Sequence, residues 1–304
     1  MCLRACLPVL LFWALPAIAQ PTITNGPMAF GEIVRVDDRP YAVVTRWGAS
    51  TRDGRRASIE VGAPGERGRA VWTGGAAITD AATNGRSILV AMIGGGGSIG
   101  VVLVPLEGGR PARGREQSVR RLAGSDRSPI GVTVTAHGEG YTVFWQEASN
   151  ESPNALYQTF AVDVGANGEL SEPRALPQVQ WPIAAAIFDG QRYLLALYYA
   201  TGSPTGTRLC AVHVAQDRPS EHPWWASRPG MITEVQLHLS AAGRVHAVYR
   251  GGDEGRALLS VDVTEGQWGR EAQAPAEHGP IPEGEIFGAR VDGERVRPDR
   301  ASLR

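Results

Sequence analysis

Gly131-Val132-Thr133-Val134-Thr135-Ala136-His137-Gly138-Glu139-Gly140-Tyr141-Thr142-Val143-Phe144-Trp145 is the stretch from which the fold is read. Its first part is rich in β-branched residues, which suit a pleated strand. Gly138-Glu139-Gly140 is a turn signal, since glycine reaches the positive φ of a tight hairpin without steric cost. The run from Tyr141 to Trp145 that follows is apolar, aromatic and too short for a helix, as expected of a strand covered on both faces.

The same unit recurs along the 304 residues. Apolar runs start at Tyr41, Ser87, Tyr141, Tyr193 and Val245, at intervals of 46, 54, 52 and 52 residues. The turns before them are Asp37-Asp38, Asn84-Gly85, Gly138-Glu139-Gly140, Asp189-Gly190 and Ala242-Gly243. Each run is followed by a second apolar segment (57–61, 100–104, 156–162, 209–214 and 257–263) and then a weaker one, such as Arg69-Ala70-Val71-Trp72. Amphipathic helices are missing, and 117–122 also reads as strand. Four strands per unit of about fifty residues predict an all-β fold, a β-propeller of four-stranded blades. The repeats fall at about 31–75, 76–126, 127–180, 181–230 and 231–280, with a partial unit at 281–304. In that last unit the stretch from Gly284 to Val296 repeats the opening from Gly31 to Tyr41. The count is therefore five or six blades, the last completed by both termini, with Pro21 to Phe30 offering an outer strand.

The pattern, seen most plainly in His238-Leu239-Ser240-Ala241-Ala242-Gly243-Arg244-Val245-His246-Ala247-Val248-Tyr249, resembles the sialidase-like (BNR-like) propellers of secreted bacterial proteins. The resemblance implies a fold and no activity. The Ser-x-Asp-x-Gly-x-x-Trp boxes of sialidases are absent, and neither their arginine triad nor their nucleophilic tyrosine has a matching motif.

Composition narrows the surroundings. Residues 1–19 read as a cleaved signal peptide: Arg4, an apolar core from Leu7 to Ala17, then Ala17-Ile18-Ala19 as a small-x-small site. Residues 20–304 are then a single propeller domain, secreted or periplasmic, whose one remaining cysteine, Cys210, lies in the apolar run Leu209-Cys210-Ala211-Val212 and reads as a core residue. With 30 basic residues, all arginine, against 31 acidic, there is no electrostatic footprint for nucleic acid, and no membrane insertion is expected. A monomer is expected.

Propeller ligands usually lie at the channel face, on the loops between second and third strands and between blades. Those loops select Arg46, Trp47, Glu147, Tyr199, His222, Trp224, Trp225, Arg250 and Asp253. Arg46 and Arg250, each five residues past a strand start, suit bidentate capture of a carboxylate or sulfate. His222-Pro223-Trp224-Trp225 offers an aromatic platform on which sugar rings stack. If the fifth turn is Ala241-Ala242-Gly243, His238 pairs directly with His246. Zinc wants a third or fourth ligand that no spacing identifies, so neither a metal nor another cofactor is expected. No catalytic set is identified. The expected function is a secreted, non-catalytic propeller that binds a saccharide or protein ligand on the channel face. The alternatives are a carbohydrate-active enzyme, a glycoside hydrolase or polysaccharide lyase, and an envelope assembly module.

Overall fold

The computed structural model describes residues 28–36, 39–51, 54–62, 68–74, 76–94, 97–121, 127–149, 157–177, 179–200, 207–214, 224–225, 232–239, 243–251, 257–263, 272–273, 285–286, 289–292 and 295–298. Among the described residues, strands form five antiparallel sheets that follow one another along the chain. The first holds β1 (Met28–Val36), β2 (Arg39–Thr51), β3 (Gly54–Gly62) and β4 (Arg69–Gly74). The second holds β5 (Ala76–Thr83), β6 (Ser87–Gly94), β7 (Ser98–Glu107), β8 (Arg110–Pro111) and β9 (Arg115–Arg121). The third holds β10 (Arg127–His137), β11 (Gly140–Ser149), β12 (Gln158–Val164) and β13 (Arg174–Ala175). The fourth is β14 (Ile183–Phe188), β15 (Tyr193–Ala200), β16 (Thr207–Val214) and β17 (Trp224–Trp225). The fifth is β18 (Thr233–Leu239), β19 (Val245–Gly251), β20 (Ala257–Asp262) and β21 (Ala272–Gln273). First strands pack on first strands, β1 on β5, β5 on β10, β10 on β14 and β14 on β18. Sheets arranged around their first strands in this way make a β-propeller, with β1, β5, β10, β14 and β18 innermost.

The middle of each second strand is mainly apolar on both faces because it serves two neighbours. Tyr141, Val143 and Trp145 pack against Leu89, Ala91 and Ile93 of the second sheet. Phe144, on the other face of the same strand, packs against Tyr193, Leu195 and Leu197 of the fourth. Leu194 and Ala196 in turn meet Val245, Ala247 and Tyr249 of the fifth. Cys210 is fully buried in this core, and burial pushes its thiol up to about 12, so it is an inert packing residue. The turns need their glycines: Gly85, Gly138, Gly190 and Gly243 all have positive φ.

The repeat is re-phased in the first two units. Tyr41 and Val43 face the following sheet, where they meet Ile88 and Val90, whereas Tyr141 and Tyr193 face the preceding one. The expected equivalence of Tyr41 and Ser87 with Tyr141 and Tyr193 is therefore off by one residue. The place of the tyrosine after the turn is the reason: Val36 pairs with Arg39 and His137 with Gly140, both across two residues, but Tyr41 is the second residue past Arg39 and Tyr141 the first past Gly140. One residue of slip exchanges the two faces of a strand.

The partial sixth unit joins the first sheet. β22 (Glu285–Ile286), β23 (Ala289–Asp292) and β24 (Arg295–Pro298) form a meander, and β24 pairs with β1 through Gly31↔Val296 and Glu32↔Arg295. Both ends of the chain thus meet in one sheet, as the repeat arithmetic suggests, but with the contributions exchanged. Met28, Ala29 and Phe30 belong to β1 rather than to an added outer strand, and the C-terminal strands extend that sheet. Residues 21–27 lie outside the described residues.

Candidate functional site

The two ends of each blade differ. At one end the first and second strands are joined by tight turns. At the other, first strands begin and second strands finish, and here every first hairpin carries a β-bulge. The irregularity falls between Met28 and Phe30, Ala76 and Ile78, Pro129 and Gly131, Ile183 and Ala185, and Thr233 and Gln236. A bulge leaves an extra residue without a ladder partner and re-aims its neighbours. Five bulges at one height form a collar at the mouth of the innermost strands. Sequence reading missed this collar. Its signal lies in the small and helix-breaking residues at the strand starts, Ala76-Ala77, Pro129-Ile130-Gly131 and Ala184-Ala185-Ala186.

In the third sheet the collar is open. Ile130, the extra residue of β10, is 37% exposed. Among the described residues, a Cβ placed on neighbouring Gly131 would meet no heavy atom within 4 Å. Around this opening the polar groups are tied up. Glu147 is fully buried, with Arg120 Nε 2.8 Å from Oε1 and Arg127 Nε 3.6 Å from Oε2. Trp145 Nε1 also donates to its Oε1 at 2.9 Å, and the Trp145 ring stacks on Phe160. Gln146 donates to Trp181 O at 2.7 Å and accepts from Ile183 N at 2.8 Å, fastening the third sheet to the start of the fourth.

Of the residues singled out from sequence, Arg46 and Trp47 (β2), Glu147 (β11), Tyr199 (β15) and Arg250 (β19) all stand on second strands toward this bulged end. Arg46 and Arg250 share an offset of five residues from Tyr41 and Val245 without sharing a pleat phase, because the first unit is slipped by one. Trp224 and Trp225 form β17, the outermost strand of their sheet, opposite Ala211 and Cys210, so they stand away from the innermost strands. His222 and Asp253 lie outside the described residues. Arg208, which sequence reading passed over, pairs with Tyr199 and has a buried Nε with no hydrogen-bond partner among the described residues.

The turn end is closed by hydroxyls. Tyr141 donates to Ser87 O at 2.7 Å and accepts from Asn84 N at 3.3 Å, and burial pushes its phenol up to about 12. Tyr193 and Thr142 hydroxyls are 2.6 Å apart, and Thr142 donates to Asp163 at 2.5 Å. Burial acts to raise the Asp163 carboxyl, but hydrogen bonds from Arg174 and Thr142 outweigh it and hold the group below the usual carboxylate range. The expected cross-strand pair is present: His238 is opposite His246, and His246 is opposite Asp262, which Arg244 contacts. His238 and Asp262 are two strand spacings apart, about 9.6 Å. Among the described residues, no three of His, Cys, Asp and Glu are grouped to hold a metal.

No protein family matches the sequence, and no curated protein is significantly similar to it. Solved structures similar to it include neuraminidases and other β-propellers. A puromycin hydrolase is 12% identical over 85% of this chain and 41% of its own, with a TM-score of 0.49. The β-propeller domain of the Trilobed protease from Pyrococcus furiosus is 7% identical over 90% of this chain and 84% of its own, with a TM-score of 0.46. The hemagglutinin-neuraminidase of Parainfluenza Virus 5 is 10% identical over 84% of this chain and 62% of its own, with a TM-score of 0.42. The chain thus spans about two fifths of the puromycin hydrolase's length.

Proposed function

We propose that this chain is an exported, non-catalytic binding propeller that takes a saccharide or protein ligand at its bulged end. The observation that carries this reading is the bulge repeated at the start of all five innermost strands, at the end where Arg46, Trp47, Tyr199 and Arg250 also stand. Bulges cluster at barrel rims and beside sites because they turn side chains out of the ladder. Glu147 serves this site as a support: Arg120 and Arg127 answer its charge, and it holds the wall behind the opening. Export follows from the N-terminal apolar segment and its small-x-small site.

Calorimetric titration of the purified chain with neutral and uronate-containing oligosaccharides and with short peptides tests the reading. The double variant Arg46→Ala with Arg250→Ala is expected to lose at least tenfold in affinity for whichever ligand binds. Trp224→Ala with Trp225→Ala, on the outermost strand, is expected to leave affinity unchanged. The reverse pattern would move the site to the outer edge of the fourth sheet.

A further inference from the structure

Asn-Gly occurs three times in the sequence, at Asn25, Asn84 and Asn167. An asparagine before glycine is open to attack by the next backbone nitrogen on its side-chain amide, because glycine has no Cβ to hinder the approach. Asn25 lies outside the described residues, and the other two precede turn glycines of positive φ. We infer that Asn84 is a self-modification site, which in the folded protein loses its amide and becomes aspartate and isoaspartate, while Asn167 is spared.

The surroundings of the two asparagines separate them. Asn84 Oδ1, where negative charge develops during attack, accepts from Arg86 N at 3.0 Å and Ser87 N at 2.9 Å, with Ser87 Oγ at 3.2 Å. Donors set in place before the charge appears are the arrangement of an oxyanion hole. Asn167 Oδ1 has one such donor among the described residues, Glu169 N at 3.0 Å. The attacking nitrogens differ as well. Gly85 is exposed to hydroxide from solvent, and its N–H donates to Thr83 Oγ1 at 3.1 Å. The Thr83 proton goes to Ser87 O at 2.7 Å, and a hydroxyl can turn to donate to the nitrogen once that nitrogen is ionised. Gly168 is buried, and its N–H is held at 2.8 Å by the Gly165 carbonyl, which can only accept.

The reaction needs only water. Hydroxide takes the Gly85 amide proton, and the nitrogen bonds to Asn84 Cγ. Nδ2 leaves as ammonia with a proton from water, which returns the hydroxide and closes a succinimide ring. Water then opens the ring at either carbonyl. The change falls on a tie between blades, since Asn84 Nδ2 donates to Glu139 O at 2.5 Å beside the Arg86–Glu139 ion pair. Aspartate has no donor for that carbonyl and sets a carboxylate against it, so the turn of the third sheet loses this anchor on the second.

The purified chain is held in mildly alkaline buffer, folded and in urea, and sampled by peptide mass mapping, which reads the amide-to-acid mass gain at each asparagine. In the folded protein Asn84 should convert roughly ten times faster than Asn167, and in urea the two rates should converge. Thr83→Val should slow Asn84 toward the rate of Asn167, whose own unchanged rate shows that the variant is folded. No conversion of Asn84 in the folded protein, or equal rates at the two sites, overturns the inference. So does a difference that persists in urea, because flanking sequence rather than the turn would then set it. Asn84→Asp copies one product and should lower the urea midpoint, and an unchanged midpoint overturns the loss of the anchor.

Discussion

The two ends of this propeller are built from the same hairpins and treat their polar groups in opposite ways. At the turn end, the Tyr141 and Tyr193 hydroxyls cross from one sheet to the next and end on Ser87 and Thr142. Adjacent blades are thereby fixed to each other as well as packed. At the bulged end, Glu147 and Gln146 bind the wall together, but the innermost strand itself breaks register and leaves Ile130 exposed and, among the described residues, no heavy atom within 4 Å of a Cβ on Gly131. One end is closed by hydrogen bonds, and the other is held open by a wall that has them. A rigid wall around an unfilled opening is what a preorganised binding site requires.

Glu147 gives the sharpest way to break this comparison. Replacing it by leucine leaves Arg120, Arg127 and the Trp145 N–H without their shared acceptor, and loss of one partner from a buried ion pair costs about 3 kcal/mol. Ile130→Asp, in the bulge of the same sheet, should cost no more than about 0.5 kcal/mol because its side chain is already exposed. Urea unfolding of both variants measures the difference. A Glu147→Leu protein of unchanged stability would make this carboxylate a ligand group rather than a support.

Glycines separate the ends next. Gly190 at the turn end and Gly131 at the bulged end both have room for a side chain, with nothing among the described residues within 4 Å of an added Cβ. Only Gly190 has a positive φ, +102°. Gly190→Val should therefore destabilise by about 2 kcal/mol through backbone strain alone. Gly131→Val should be neutral or slightly stabilising, since glycine weakens a strand interior. Thermal unfolding of the two variants side by side decides it, and equal losses would mean that the turn geometry is not the controlling difference.

The turn end is also the end that sequence reveals. Asp189-Gly190 and Ala242-Gly243 announce themselves by composition, and the continuous apolar runs after them mark strands covered on both sides. The pairing of His238 with His246 follows from turn length alone and is present. Phase is less legible. Tyr41 looks like Tyr141 and Tyr193, yet it faces the opposite neighbour, because it stands two residues past the first ladder pair where Tyr141 stands one past, and no side chain advertises that shift. The bulged end is less legible still. Trp224 and Trp225 looked like loop residues but form an edge strand, because β17 is only two residues long and pairs with β16 through Cys210 and Ala211 alone. Glu147 looked like a loop acid, and its neutralisation by Arg120 depends on a contact between sheets that no local pattern encodes.

A pH dependence confined to the turn end tests the same contrast. His213 lies in β16 opposite Leu194, and burial, helped by repulsion from Arg192 and opposed by Asp189, lowers its pKa from 6.5 to about 4. Between those values the unfolded chain binds the proton and the folded one does not. The contribution is therefore complete above pH 6.5 and is lost as pH falls toward 4, at up to about 1.4 kcal/mol per pH unit. Asp163 is also depressed, but its contribution is lost only as pH falls below the ordinary carboxylate range, so the two windows separate. Replacing His213 by leucine should flatten the stability profile between pH 6.5 and 4 while leaving the fall at lower pH in place. Urea midpoints of wild type and variant at pH 7, 5.5 and 4.5 measure this. A wild-type profile already flat across that interval would mean that His213 titrates normally and that the turn end is less tightly closed than its hydroxyl bonds imply.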